Sequence, residues 1–400
     1  YNKNVDKKNK ILIEQKYDEY LKNKRIELNK IKLEQQNIMI ENLVNLDACV
    51  QYIHSKGINF WDKRNDQSDF LNVRLGIGDA PLEINLSYEE EDFSIDESNL
   101  KDKAESLIKE FKFVENTPIG YSFYKNIITA VMGDLRKSIP FVNNILLQLM
   151  TFYSYEDLKF VIFTTKKNEK KWSYLRYLNH TFNNEKNFRF FSTSHDSSKI
   201  VSEYLMREMG DRIKFIEENK DKSVALKPHY FIVVDGYDQV KRSDLVSVLS
   251  ELDYNIGFSV VIIEERLSNL PSKCSNFINL GDPNSGILKN SYENQEIIKF
   301  KDEIKYNINY MELAKEISNV PIEFDEKVGA LPETISFLEM ENVGKVEQLN
   351  VLNRWYTNDS TQSLRAEIGV DEHKDLMYLD LHEKFHGPHG LIAGTTGSGK

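Results

Sequence analysis

A glycine-rich turn near the end of the chain has the residue types and spacing of a phosphate-binding loop. It follows the apolar stretch 391–393 and reads Gly394-Thr395-Thr396-Gly397-Ser398-Gly399-Lys400. The glycines let successive backbone N–H groups turn towards phosphate oxygens, and the lysine reaches the β- and γ-phosphates. The pattern G-x-x-x-x-G-K lacks its final Ser or Thr, whose hydroxyl binds Mg²⁺. We predict that this loop binds ATP with Mg²⁺ in a complete site, and that the chain itself, with half a site, binds nucleotide weakly or not at all.

A shorter turn resembles this loop only in part. It reads Gly133-Asp134-Leu135-Arg136-Lys137-Ser138 and lies between an expected strand and an expected helix. It ends in Lys-Ser, as a phosphate loop should, but it lacks the two internal glycines. Asp134 places a carboxylate where a phosphate would bind. An ordinary strand-to-helix turn is therefore the favoured interpretation, and a phosphate-binding turn is the alternative.

Asp235 follows the apolar run 231–234, which is the pattern of a Walker B strand. In that motif the aspartate holds Mg²⁺ through water, so Asp235 is a weak candidate metal residue. Many motors have a glutamate next, as the base that orients water, but here Gly236 offers no titratable group. The polar cluster 264–266 ends another apolar strand, where a motor has its γ-phosphate sensor. The pattern predicts a domain that resembles a nucleotide-hydrolysing domain but lacks some of its catalytic residues. We therefore assign no catalytic residue.

Three histidines near the end of the chain, His382, His386 and His389, have a spacing that metal ligands can have. Gly387 and Pro388 break any helix between them, and no carboxylate pattern joins them. We therefore favour loop residues beside a nucleotide site over a metal centre.

Apolar runs alternate with helical stretches from about residue 100, and these elements must position the motifs. Continuous apolar strands between helices indicate a parallel sheet that helices cover on both faces. The expected helices are 101–114, 139–153, 198–219 and 245–254, and the expected strands are 127–132, 158–164, 230–234, 258–263 and 277–280. A β-hairpin is expected to open at 286–291. Before them, 70–75 and 82–86 alternate like short strands, with Gly76 and Gly78 breaking the first.

Residues 1–46 contain neither Gly nor Pro and predict one long helix. A 3-4 spacing from Glu14 runs through Tyr17, Leu21, Lys24, Leu28, Ile31, Gln35 and Ile38, so the apolar seam is interrupted. Two interpretations stay open: a solvated helix lying on its own domain, or a stalk that joins a soluble body to something upstream.

Composition excludes several classes of protein. The 400 residues carry 52 Lys+Arg and 63 Asp+Glu, a net charge of −11, which disfavours nucleic acid as a partner. Two cysteines, Cys49 and Cys274, exclude a disulfide framework and a Cys-based zinc site. No apolar run is long enough to span a bilayer, and no signal peptide opens the chain. Because the chain starts on Tyr1 and stops inside a motif, we expect a piece of a longer protein.

The stretch 387–400 closely resembles the first full motor of the FtsK/SpoIIIE-type ATPases of type VII secretion, the EssC/EccC family. Other stretches that resemble this family are 69–76, 146–149, 157–159, 172–175, 270–274 and 336–340, so the resemblance covers essentially the whole chain. The resemblance implies an α/β, RecA-like (P-loop type) fold preceded by a long helix and a small β-rich segment. The implied domains are a juxtamembrane helical stalk (1–46), the β-rich segment (47–100), a degenerate RecA-like ATPase domain (101–290), a helical linker (291–345) and the start of the first motor (346–400).

The resemblance also implies a function. The whole protein would be a membrane-anchored, hexamer-forming motor on the cytoplasmic side of the cell membrane, which couples ATP to the export of small helical-hairpin substrates of the WXG100 type. Its partners would be other type VII secretion membrane components, and domain 101–290 would be mainly structural or regulatory. Two rival interpretations are an FtsK-like DNA translocase fragment, which the acidic charge disfavours, and an active ATPase domain at 101–290.

Overall fold

The computed structural model describes residues 2–84, 86, 98–219, 226–271, 274–281, 284–289, 297–322, 335–341, 343, 345–370, 376–387 and 389–390. The chain divides into two compact units, Tyr1–Val320 and Pro321–Lys400. Within the described ranges, no helix is both long enough and apolar enough to cross a membrane.

The first unit contains eight of the described α-helices and ten of the described strands. The helices are α1 (Asn2–Asn42), α2 (Leu46–Ser55), α3 (Ser98–Glu110), α4 (Leu135–Phe152), α5 (Glu169–Trp172), α6 (His195–Asn219), α7 (Leu245–Glu251) and α8 (Tyr310–Ser318). The strands are β1 (Asn72–Pro81), β2 (Phe113–Ser122), β3 (Ile128–Met132), β4 (Leu158–Phe163), β5 (Phe191–Ser192), β6 (His229–Asp235), β7 (Phe258–Glu264), β8 (Asn276–Asn279), β9 (Ser285–Lys289) and β10 (Ile297–Asp302).

All ten strands form one sheet in the order β2-β1-β10-β9-β8-β3-β7-β6-β4-β5. The six strands from β8 to β5 are parallel, and their side chains alternate between two cores. Phe160 and Ile162 of β4 join the core that contains α4, whereas Val161 and Phe163 join the core that contains α6 and α7. The predicted α/β sheet, mostly parallel and covered by helices on both faces, is confirmed.

An antiparallel extension of the sheet corrects two predictions. The expected helix 101–114 ends at Glu110, and Val114 lies in β2, which pairs with β1. Gly76 does not break the first strand, because β1 continues through it to Pro81. A Cβ atom on Gly76 would lie 2.2 Å from the carbonyl oxygen of Lys301 in β10, so glycine allows the two strands to approach closely.

The N-terminal helix lies on the first unit over part of its length. The predicted seam is the more buried side of α1 as far as Gln35, after which Ile38 is exposed and Met39 packs against the core instead. Leu28 is buried beside α3 and β2, and Arg25 forms an ion pair of 2.8 Å with Glu110. The helix also covers β2, an edge strand, where Gln36 Nε2 donates to the carbonyl oxygen of Glu115. These contacts support the first interpretation for this part of α1, and the stalk stays a prediction.

Two histidines in the core of the first unit are held in the neutral form. The His180 ring stacks on Phe160 at 5.1 Å between centroids, and its Nε2 donates to the carbonyl oxygen of Tyr153 at 2.9 Å. Burial lowers the pKa of His180 from 6.5 to about 4, and burial lowers the pKa of His229 well below 6.5.

We therefore expect the first unit to lose stability between about pH 7.5 and about pH 5. The unfolded chain binds protons on His180 below its ordinary pKa of 6.5, whereas the folded chain resists protonation until about 4. Stability is then fully present above about pH 7 and falls with pH, by about 2 kcal/mol at pH 5 from His180 alone. Urea unfolding at both pH values measures this loss, and His180→Gln should reduce it. A free energy of unfolding that does not change between the two pH values would contradict the prediction.

The second unit contains two short helices and a hairpin among its described residues. The helices are α9 (Phe337–Met340) and α10 (Val351–Thr357), and the strands β11 (Arg365–Val370) and β12 (Leu376–Asp380) pair antiparallel. Ser336 begins α9 with a capping box, in which its hydroxyl accepts from the Glu339 amide and the Glu339 carboxylate accepts from the Ser336 amide. Along the chain, this hairpin precedes the glycine-rich loop.

Candidate functional site

The predicted nucleotide-site residues of the first unit meet at one edge of its sheet. Strands β3, β7 and β6 are neighbours and parallel, so their carboxyl ends lie side by side. The turn Gly133–Ser138 follows β3, and Asp235 ends β6. Glu264 ends β7, and Glu265 follows it. Ligands of open α/β sheets bind outside this edge. The loop Gly394–Lys400 lies outside the described residues.

The turn after β3 leads directly into the capped N-terminus of α4. Gly133 has a φ of 146°, which favours glycine, and a Cβ atom there would lie 3.0 Å from the carbonyl oxygen of Leu280. Asp134 is the N-cap of α4, and its Oδ1 accepts from the backbone N–H of Arg136 at 2.8 Å. An aspartate at this position stabilises a helix. The favoured interpretation, a strand-to-helix turn, agrees with this geometry.

Two carboxylates accept hydrogen bonds from the backbone amides at the start of α4. Besides the Asp134 cap, Oε1 of Glu265 lies 3.4 Å from the backbone nitrogen of Leu135, which donates to it. The Arg136 guanidinium also pairs with Asp134 at 2.5 Å, and its hydrogen bonds hold the pKa of that carboxyl at about 2. A helix N-terminus attracts anions because its amides point outwards. Here the attracted anions are side chains of the chain itself.

Lys137, which aligns with a phosphate-gripping lysine, is engaged by the sheet extension. Its Nζ donates to the carbonyl oxygen of Gly281 at 2.6 Å and forms an ion pair of 2.8 Å with Oδ2 of Asp302 in β10. Ser285 Oγ donates to the same Oδ2 at 2.9 Å. Ser138, at the place of the Mg²⁺-binding hydroxyl, is fully buried, and its Oγ has no hydrogen-bond partner among the described residues.

Asp235 is buried, with 2% of its surface exposed, and three protein groups donate to its carboxylate. Oδ2 accepts from Thr164 Oγ1 at 2.8 Å and from Trp172 Nε1 at 2.9 Å, and Oδ1 accepts from Asn168 Nδ2 at 3.2 Å. These donors lie between the end of β4 and the end of α5. The Asp235 carboxylate therefore anchors the segment 164–172 to the end of β6.

The positions expected for a catalytic base and a sensor have structural contacts. Gly236 has a φ of 95° and turns the chain after β6. Glu264 Oε1 accepts from the backbone N–H of Tyr237 in this turn at 2.8 Å, and its Oε2 accepts from Asn269 Nδ2 at 3.3 Å. Glu264 thus stabilises two turns at the sheet edge.

The late histidines shape a turn in the second unit. His386 Nδ1 accepts from the backbone N–H of Asp380, and His382 Nδ1 accepts from the backbone N–H of Lys384. The Asp380 carboxylate accepts from Ser363 Oγ and from the His382 backbone N–H. In the part of the chain that the structure describes, no group of three His, Cys, Asp or Glu side chains is placed to hold a metal ion.

Sequence reasoning missed most partners of these residues. Thr164 follows β4, which pairs with β6, so the rule that the carboxyl ends of parallel strands meet could have found it. Gly281 and Asp302 carry no motif, and only the pairing of β8, β9 and β10 brings them to Lys137.

The fold and the site together define an α/β protein with a mostly parallel sheet, in which carboxylates accept hydrogen bonds at the turn after β3. Over its whole length, the chain is similar to the type VII secretion system protein EssC of Staphylococcus aureus strain NCTC 8325, with 28% identity over 402 residues. It is also similar to the ESX secretion system protein YukB of Bacillus subtilis strain 168, with 27% identity over 410 residues. The chain is thus a homologue of these secretion proteins, which confirms the resemblance.

The chain covers 27% of EssC and 26% of YukB, about a quarter of each relative. Its structure is similar to ATPases 2 and 3 of EssC from Geobacillus thermodenitrificans, with 13% identity, a TM-score of 0.44 and coverage of 81% of this chain and 61% of that one. The cytoplasmic domain of the Thermomonospora curvata type VII secretion ATPase EccC has 14% identity and a TM-score of 0.44, with coverage of 81% and 40%. No protein-family model matches the chain.

Proposed function

We propose that this chain is part of the membrane-anchored ATPase motor of a type VII secretion system, and that its first unit is a structural module that does not hydrolyse ATP. One observation supports the proposal that the first unit does not hydrolyse ATP. The amides of α4, the Lys137 ammonium and the Asp235 carboxylate are all engaged by other groups of the chain. Phosphoryl transfer needs these groups for the phosphates and for Mg²⁺.

Full-length similarity to EssC and YukB supports the wider proposal. In it, 1–46 is a juxtamembrane stalk, and 346–400 opens the first motor on the cytoplasmic side of the membrane. The degenerate module, expected at 101–290 behind the segment 47–100, extends to Val320, because β10 and α8 belong to the first unit. Only the rest of the expected linker 291–345 then joins the module to the motor. Gly394 to Lys400 bind ATP with Mg²⁺ in the complete motor. The motor acts as a homo-hexamer with other secretion membrane components and exports WXG100-type substrates.

A single-turnover assay tests the first unit. In the whole chain carrying Lys400→Ala, which removes the second candidate lysine, we expect labelled ATP to release phosphate no faster than buffer does. Asp235→Asn should leave this rate unchanged, because Asp235 holds protein donors. Turnover by the Lys400→Ala chain that Asp235→Asn abolishes, without loss of thermal stability, would refute the proposed structural role.

A further inference from the structure

Three carboxylates surround the turn that follows β3. Asp134 and Glu265 accept from the first amides of α4, and Asp302 pairs with Lys137. These are the donor types, helix amides and a lysine, that bind phosphate in related turns. Each of these donors therefore already has an anionic partner from the chain.

Two charged side chains of the turn are accessible from solvent. The Asp134 side chain is 47% exposed and the Lys137 side chain is 25% exposed, so a solute reaches both from solvent. An anion that binds these donors would compete with the three carboxylates, of which only Asp134 also pairs with the exposed Arg136 guanidinium. Like charges at contact distance repel strongly near a protein surface.

A buried hydroxyl gives an independent sign of a latent ligand. Ser138 is fully buried, and its Oγ lacks a hydrogen-bond partner among the described residues. This Oγ lies 3.3 Å from the position a Cβ atom would take on Gly133, so it faces the inside of the turn. A buried polar atom without a partner is costly and calls for an explanation.

We propose that Asp134, Glu265 and Asp302 act as internal substitutes for phosphate, and that they keep a polyphosphate-binding turn closed by charge and not by shape. The ligand class is a linear polyphosphate, either inorganic or the triphosphate of a nucleotide. This inference rests on the proposed function, in which the first unit does not turn over ATP. It adds that the unit retains the donors of a phosphate site.

Neutral substitutions of the same size remove the charge of the carboxylates but keep their shape, so they show which of the two keeps the turn closed. The test protein is the whole chain with Lys400→Ala, and the variant adds Asp134→Asn, Glu265→Gln and Asp302→Asn. Calorimetric titration with inorganic tripolyphosphate at low ionic strength should show binding at least about tenfold tighter than in the parent. Adding Lys137→Met to the variant should remove the gain.

A matched control changes the net charge equally on exposed positions away from the turn, with Asp66→Asn, Asp211→Asn and Glu217→Gln. This control should bind no tighter than the parent. An equal gain in the control, or a gain that survives Lys137→Met, would overturn the proposal. A triple variant with the parent's melting temperature and no gain would show that shape closes the turn, and would also overturn it.

Asp302→Asn alone keeps the experiment decisive if the triple variant unfolds. It preserves an acceptor for Ser285 and removes the anionic partner of the Lys137 ammonium, so a gain of about threefold is expected. No gain in the folded variant would overturn the proposal. Failure of the proposed function is seen separately, as phosphate release by the parent, since the titration with tripolyphosphate measures no turnover. ATP in place of tripolyphosphate then distinguishes a nucleotide from an inorganic ligand.

Discussion

Replacing Asp235 by alanine is expected to lower the free energy of unfolding of the first unit by about 3–5 kcal/mol. The change leaves Thr164 Oγ1, Asn168 Nδ2 and Trp172 Nε1 without their common acceptor. All three residues are buried, so water does not readily replace the carboxylate. Urea denaturation followed by far-ultraviolet circular dichroism measures the loss.

Asp238→Ala is the matched control for this experiment, because Asp238 is exposed and lies three residues further along the chain. It should change stability by less than about 0.5 kcal/mol. Thr164→Val removes one donor and should cost less than Asp235→Ala. A loss below about 1 kcal/mol for Asp235→Ala would contradict the anchoring role and would favour an aspartate kept for a ligand.

Replacing Arg212 by methionine is expected to cost about 3–4 kcal/mol. From α6, the buried guanidinium donates to the carbonyl oxygens of Ile256 at 3.1 Å and Pro228 at 2.7 Å, next to the starts of β7 and β6. It also lies over the rings of Tyr230 and Phe258, at 5.0 and 5.1 Å from their centroids. Methionine keeps much of the side-chain volume but leaves these carbonyl groups without donors.

Arg207→Met on the same helix is the control, because Arg207 is exposed. We expect it to be nearly neutral in urea denaturation, and we expect Arg212→Lys to recover only part of the loss since lysine lacks the planar fork. If Arg212→Met and Arg207→Met had equal effects, the guanidinium would not be what holds α6 to the sheet.

The contacts of Asp235 and Lys137 agree with the proposal that the first unit does not hydrolyse ATP. In an active site, a carboxylate and a lysine must stay available to Mg²⁺ and phosphate. In the first unit, Asp235 and Lys137 instead bond to the protein, so each contributes to the fold. Selection for stability at such positions does not require turnover, which agrees with the proposed structural role.

The local patterns of the sequence determined the parallel half of the sheet and the candidate motifs. The apolar runs at β3, β4, β6 and β7 are short, continuous and rich in β-branched and aromatic residues, which favours buried strands over helices, so their places were predictable to within a few residues. The long helix α1 and the inward side of its seam followed from a 3-4 spacing. The resemblance to type VII secretion proteins could be recognised from the sequence, because the glycine-rich motif is itself a local pattern.

Only the tertiary structure decided what the motif residues do. The expected helix 101–114 included Phe113 and Val114 at the start of β2, because the pairing of β2 with β1 is not a local property. Asp235 lies 71 residues after Thr164 and Lys137 lies 144 residues before Gly281, so chain folding alone brings these partners together. An aspartate or a lysine binds a ligand or the protein itself according to which groups surround it, and a pattern of neighbours along the chain does not contain that information.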